Sequence, residues 1–203
     1  MDNKLEKTHV KDIYESIATH FDVTRQYKWD WIEEFRANYT ETSIIYDIGC
    51  GNGRNIGPNT IGVDNCDAFL QICNKNNLNA VKGCMTSLPF ENNSGDAIQC
   101  IATFHHLSTD ERRIIALEEM KRVLKSKSSI LISVWSKEQP KKTRRTFEYG
   151  DNYVPWTKTN GDVYERYYYI FKIDEIKNLF DKVGLKILEH KWNCGNEIFI
   201  LQT

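Results

Sequence analysis

Proline is scarce in this chain, with 4 among 203 residues, and glycine contributes only 11. No internal repeat and no low-complexity segment is found, so the expectation is one globular domain over residues 1–203. Cysteine is present six times, at Cys50, Cys66, Cys73, Cys84, Cys100 and Cys194, but no two lie closer than seven positions. That excludes a CxxC pair and a zinc-ribbon spacing, so no metal is expected and the thiols read as reduced, small apolar groups. Neither sign of charge dominates. Lys and Arg number 27 against 28 Asp and Glu, a net charge of −1, which excludes a wholly basic nucleic-acid coat and a strongly acidic tail. Any polyanion must therefore meet a local patch. No apolar run approaches the roughly 18 residues of a membrane span, and the first dozen residues are too polar for a signal peptide. The expected compartment is the cytoplasm, with the nucleus as second choice. A chain of this size buries roughly 70% of the surface it exposes unfolded, enough for a core without disulfides or metal.

Val10, Ile13, Tyr14, Ile17 and Phe21 recur at helical spacing, and Trp29, Ile32 and Phe35 repeat the pattern. Two helices are thus expected across about 8–40. Strands are expected at 43–48, 61–63, 80–82, 97–102 and 129–135. Helices fall between them at 66–76 and through Ile114, Leu117, Met120 and Leu124. After Trp135 the pattern breaks for about thirty residues, too long for an ordinary connection, so 136–171 reads as an insertion with a function. A helix at 173–183 and strands at 185–192 and 197–202 close the chain, the last two joined by a turn short enough to force an antiparallel hairpin.

The first strand runs into Asp47-Ile48-Gly49-Cys50-Gly51-Asn52-Gly53-Arg54, at the carboxyl end where open α/β sheets bind ligands. A dinucleotide fingerprint fails, because Arg54 or Ile56 falls where its third glycine belongs, and no Gly-Lys-Ser/Thr makes a phosphate loop. An S-adenosylmethionine loop fits instead. Its ligand has no phosphate, so Asp47 is tolerated and faces the ammonium end. Asp64 closes the second strand, where a carboxylate accepts from both ribose hydroxyls. The competing reading of Asp64 is a helix N-cap.

These motifs resemble a family. The glycine segment, the Ile61–Asp64 strand end, the Ser87–Phe90 turn and the Gly95–Thr109 segment look like class I methyltransferases. Tyr14 to Arg25, the His105-His106 pair, Val154-Pro155-Trp156 and Arg166-Tyr167-Tyr168 narrow that to the tRNA wobble-uridine 5-carboxymethyl methyl-ester methyltransferases. The resemblance implies an α/β, Rossmann-like, seven-stranded, mostly parallel sheet with an antiparallel last strand and helices on both faces. It implies S-adenosylmethionine held by Asp47, Gly49, Cys50, Gly51 and Asn52 of the loop, and by Asp64 and Asn65. Cys84, Met85 and Ile101 would add contacts, with Tyr14 and His20 from the N-terminal helix. It places acceptor chemistry on Arg25, His105, His106, Trp156, Arg166 and Tyr167, and implies two partners, tRNA and a small zinc-binding activator subunit along the edge near 80–83. The chain departs from the pattern at Cys84, where an aspartate usually receives the adenine amino group, and at Leu107, Gln26 and Tyr169.

Lys137, Lys141, Lys142, Arg144 and Arg145 follow the fifth strand with Phe147, Tyr149, Tyr153, Trp156, Tyr164 and Tyr167 near them. Such a mixture grips phosphates and stacks on unpaired bases, or it is a solvated basic loop. Lys121, Arg122, Lys125 and Lys127 read as cations at a helix C-terminus. Of the two histidines, one is expected to face the pocket and one to pack. Arg25 and Arg166 are expected to pair with a carboxylate, either the methionine end of the cofactor or the acid of the substrate, which they would orient; surface salt bridges are the alternative. The expected reaction is methyl transfer to the carboxylate of 5-carboxymethyluridine, needing no general base. A small-molecule methyltransferase and a catalytically silent binding subunit are the alternatives.

Overall fold

The computed structural model of the chain describes residues 3–143 and 146–203, so Arg144 and Arg145 of the basic stretch lie outside the described residues. A helix starts at Asn3, whose side chain accepts from the Leu5 amide. It runs as α1 (Lys4–Glu6), a π-helical turn (Lys7–Lys11) and α2 (Asp12–Thr24). After α3 (Asp30–Arg36) come β1 (Ile45–Ile48), β2 (Thr60–Asp64), α4 (Asp67–Lys75), β3 (Ala80–Lys82), β4 (Gly95–Ile101), α5 (Asp110–Val123) and β5 (Leu124–Trp135). A hairpin of β6 (Gly150–Thr157) and β7 (Val163–Ile170) precedes α6 (Ile173–Lys182), β8 (Lys186–Asn193) and β9 (Asn196–Gln202).

Seven strands make the main sheet in the order β3-β2-β1-β4-β5-β9-β8. Only β9 runs against the rest, pairing antiparallel with both β5 and β8. The strand order reverses beside β1, and the crevice that this opens at the carboxyl ends of β1 and β4 is where such sheets hold ligands. Both faces are buried, which is why the central strands read as unbroken apolar runs. Residues alternate between the faces. Tyr46, Ile48, Ile98 and Cys100 meet α5 and α6 through Leu117, Met120, Ile176 and Phe180, while Ile45 and Ala97 meet Trp31, Ile32 and Phe35 of α3. The β8–β9 turn needs only Cys194 and Gly195, both at positive φ (46° and 82°), the geometry that suits a two-residue hairpin.

Two expectations are corrected. Leu124 does not end α5; it opens β5, opposite Gly95, and the strand begins five residues before the expected Ser129. Lys125, Ser126 and Lys127 are exposed and carry no apolar signal, and the β4–β5 register shifts between Gly95 and Ala97. The segment 136–171 is not irregular throughout. Its second half is the β6–β7 ribbon, hidden in the sequence because aromatic and charged residues occupy both of its faces.

Candidate active site

A cavity of about 400 Å³ lies over the carboxyl ends of β1, β2 and β4. The N-terminal helix and the β6–β7 ribbon wall its far side. On the sheet side it is lined by Gly49, Cys50, Gly51, Asn52, Asp64, Asn65, Cys84, Met85 and Ile101. The loop is drawn over β2 because Gly49 and Cys50 both donate their amides to the Val63 carbonyl, at 2.8 and 3.0 Å. Gly49 has a φ of +73°, and a Cβ there would run into the Thr103 side chain, so only glycine fits.

Asp64 accepts from the Gly51 amide at 2.8 Å and from the Cys66 amide at 2.9 Å. Burial raises its pKa, against those bonds. The Asn65 amide adds to those bonds, and the lone-pair capacity that remains is open to a hydroxyl donor from the cavity. The helix-cap reading of Asp64 fails on geometry. The first turn of α4 is satisfied from another element, by Glu15 of α2, whose carboxylate accepts from Asp67 and Ala68 at 2.6 and 2.9 Å. No sequence signal marks that long-range cap.

Asp47 is only 1% exposed and does not line the cavity; it lies beneath the loop, and its Oδ2 has no hydrogen-bond partner among the described residues. Burial pushes its carboxyl up to about 7, with Gln99 alongside opposing and Asp64 adding to the shift. The expected direct contact with the ligand's ammonium end is therefore corrected. Strand alternation turns this side chain toward the α3 face, away from the opening. Cys84 keeps its thiol 3.1 Å from the Thr86 hydroxyl, beside the Met85 position.

His106 lines the cavity, whereas His105 is fully buried behind it and accepts from the Trp135 amide at 3.0 Å. Nδ1 of His106 donates to the Tyr167 carbonyl at 2.7 Å, so Nε2 is the acceptor and receives the Tyr14 hydroxyl hydrogen at 3.1 Å. The Tyr168 hydroxyl, 3.2 Å from Tyr14, then donates to Tyr14 in turn. Burial pushes the His106 pKa down to about 3 and lowers that of His105, so both rings are neutral near pH 7.

Arg166 is 2% exposed and faces the cavity, with Nε and Nη2 lacking any hydrogen-bond partner among the described residues. Its guanidinium sits 4.7 Å from the centroid of the Trp156 ring and 5.2 Å from that of Tyr168. Arg25, which also lines the cavity, lies 5.0 Å from the Trp156 ring.

Besides Asp47 and His105, three more expected contacts fall outside the lining. Trp156 packs behind both arginines and donates its indole N–H to His20 at 3.0 Å; His20 is thereby a prop for Trp156 and not a cavity residue. Tyr167 points to the opposite face of the ribbon, where its hydroxyl donates to Asp151 at 2.7 Å. Alternation along β7 puts Arg166 and Tyr168 on the cavity side instead, and Tyr168 is the residue that the sequence reading missed. Missed as well is Glu6, which accepts from Ser108 and forms a 2.8 Å ion pair with Arg112, fastening α1 across the opening.

The basic stretch is partly committed, since Lys137 pairs with Glu148 at 2.8 Å, while Lys141 and Lys142 are exposed. Phe147, Trp156 and Tyr167 are buried and unavailable for stacking, but Tyr149 and Tyr153 are each 46% exposed. Lys121, Arg122 and Lys125 bond to Val183, Glu119 and Asp96, as structural cations do. Among the described residues no group of three His, Cys, Asp or Glu could hold a metal.

Residues 46–132 match the family described as Methyltransferase domain. Over 97% of the chain and 96% of the relative, the sequence is 31% identical to the tRNA (carboxymethyluridine(34)-5-O)-methyltransferase of Schizosaccharomyces pombe. The chain belongs to that family. It is also 39% identical to the enzyme of the same name from Arabidopsis thaliana over 67% of the chain, although it spans only 35% of that protein's length. Other curated relatives are longer too, the chain covering from 35% down to 21% of them. Solved structures share the fold. One is the complex between the Haloferax volcanii Trm112 methyltransferase activator and a methyltransferase, with a TM-score of 0.67 at 14% identity, over 95% of this chain and 96% of that one. Another is CalS10, an amino pentose methyltransferase from Micromonospora echinaspora with S-adenosylmethionine bound. Its TM-score is 0.65 at 17% identity, over 94% of this chain and 96% of that one.

The lining suits the cofactor that such a domain uses. Asp64 can accept from a ribose, glycine backbone permits close approach, and Val63, Phe69 and Ile101 offer apolar wall. Arg166, Arg25, Tyr14 and Tyr168 line the same cavity.

Proposed function

We propose that the chain transfers the methyl group of S-adenosylmethionine to the carboxylate of 5-carboxymethyluridine at the tRNA wobble position, giving the methyl ester. The observation that carries this reading is Arg166, a buried guanidinium whose unpartnered N–H groups face the cavity with no acidic residue bonded to it among the described residues. A buried charge in that state is costly unless a ligand supplies the opposite one. An amine or hydroxyl acceptor offers no such charge, and the neutral His106, with both nitrogens already bonded, is a poor base for activating one.

The cofactor supplies an electrophilic methyl carbon on a sulfonium. Asp64 receives ribose hydroxyls, Gly49 and Gly51 admit the ligand by their backbones, and Cys84 and Met85 border the adenine. A carboxylate acceptor has a pKa near ~4, so at neutral pH it is already nucleophilic. Arg166 and Arg25 hold it in line, and this positioning supplies several kcal/mol of the roughly 7–11 available to well-oriented reactants. Residues 1–203 act as one domain, with 136–171 on the acceptor side. Lys141, Lys142, Tyr149 and Tyr153 meet the anticodon loop, and a small zinc-binding activator covers the open β3 edge. Fold likeness to a methyltransferase seen with Trm112 supports the last point. Among the described residues no helix is long and apolar enough to cross a membrane, which accords with work in the cytoplasm or nucleus.

Mass spectrometry of tRNA nucleosides after incubation with cofactor, with and without the activator, tests the reading. The methyl ester is the expected product; methylation of another atom, or of small molecules only, overturns it, and no turnover with cofactor bound would mark a silent subunit.

A further inference from the structure

We propose that Arg166 makes the acceptor pocket select by charge, gripping the acid before transfer and releasing the neutral ester after it. The inference rests on the carboxylate reading above and adds what that site rejects. The side chains around Arg166 are Trp156, Tyr168 and Tyr14, with the neutral His106 next to Tyr14, and none of these is a carboxylate. Burial works against its charge, while Tyr168 and Tyr14 beside it favour the protonated form. Their own hydrogens are committed: Tyr168 donates to Tyr14, Tyr14 to His106, and His106 to the Tyr167 carbonyl. The Nε and Nη2 hydrogens of Arg166 remain for a ligand.

In the transfer step a carboxylate lone pair forms the new C–O bond while the C–S electron pair returns to sulfur. The negative charge on oxygen and the positive charge on sulfur vanish together, and no proton moves. Arg166 then faces a neutral ester carbonyl, so a charge-assisted bond becomes an ordinary one and the buried cation loses its counter-charge. A site built for a charged partner rejects neutral isosteres for the same reason. The ester and the corresponding primary amide, which match the acid closely in shape, should both bind weakly.

The test uses the full chain, with its activator if required, saturated with S-adenosylhomocysteine so that no turnover occurs. Three anticodon stem-loops identical except for 5-carboxymethyluridine, its methyl ester or its amide are titrated by fluorescence anisotropy at one salt concentration. The acid should bind about ten- to a hundredfold tighter than either neutral form. Arg166→Gln should compress that gap to about threefold or less, and Arg166→Lys should retain part of it. Equal binding of all three by the unaltered protein overturns the proposal, as does an undiminished gap in a folded Arg166→Gln protein. If Arg166→Gln does not fold, the three-way comparison in the unaltered protein decides alone. Methyl ester formation together with equal binding would remove this inference and leave the assigned reaction standing; methylation elsewhere would remove that reaction.

Discussion

The Tyr14 hydroxyl donates to Nε2 of His106 at 3.1 Å because the other ring nitrogen, 2.7 Å from the Tyr167 carbonyl, must carry the proton. One short bond on the ribbon thus fixes the tautomer of a cavity histidine and the direction of every hydrogen bond beyond it. The ring orients Tyr14 and is not free to take a proton.

That arrangement predicts a flat pH profile. With the His106 pKa near 3 and an acceptor already ionised, the single-turnover rate at saturating cofactor and RNA should not change from pH 6 to 9. A rise governed by a group near pH 7 and abolished in His106→Gln would show base catalysis instead. Stability behaves differently. The unfolded ring takes a proton below about pH 6.5 and the folded one does not, so stability is full above that value and falls as pH drops toward 3. His106→Gln should flatten the fall in melting temperature between pH 7 and 5.

Asp47 has the opposite sign. Its folded pKa, about 7, lies above the ordinary carboxylate value, so this group stabilises the fold at low pH and costs stability as pH rises through 7. Asp47→Asn should leave the melting temperature little changed at pH 4 and raise it at pH 8. Each pH unit between the two values is worth at most about 1.4 kcal/mol. An unchanged or lower melting temperature at pH 8 would mean that the carboxylate has a compensating partner.

Asp64→Ala should weaken cofactor binding by about one to two orders of magnitude, the worth of charge-assisted bonds of roughly 1.5–3 kcal/mol. Calorimetric titration reads it directly. Unaltered affinity in a folded protein would reduce Asp64 to a brace for the Gly51 and Cys66 amides.

Trp156 touches both arginines, so Trp156→Leu should raise the KM for RNA by about tenfold while the cofactor Kd stays within about twofold. Trp156→Phe should fall between, keeping a ring but losing the bond to His20. A matched loss of cofactor affinity would mean that Trp156 shapes the whole cavity.

Glu6 ties α1 to Arg112 and Ser108. Glu6→Ala should loosen that cover and speed cofactor dissociation by about tenfold in stopped flow, with little effect on global melting. An unchanged rate would show that α1 does not gate the opening.

Local spacing alone made the glycine loop, Asp64 and the βαβ alternation legible, since strand, turn and helix are set by residues within a few positions of one another. The same holds for the β8–β9 turn, where Cys194 and Gly195 leave the chain no room for anything but a hairpin. The neighbours of a side chain were not legible in this way. Tyr167 and Tyr168 are adjacent and chemically alike, and only the register of β7 against β6 decides that Tyr168 faces the cavity. Asp47 and His20 were placed by motif at the ligand, yet strand alternation sends one under the loop and the ribbon captures the other. Glu15 caps a helix that begins 52 residues later, and Glu6 reaches Arg112 across 106 positions. Fold class and the cofactor loop were set by the sequence alone, because periodicity and glycine geometry act locally. That Arg166 is buried with Nε and Nη2 unpartnered among the described residues was settled by tertiary packing, because it depends on which distant groups surround the guanidinium.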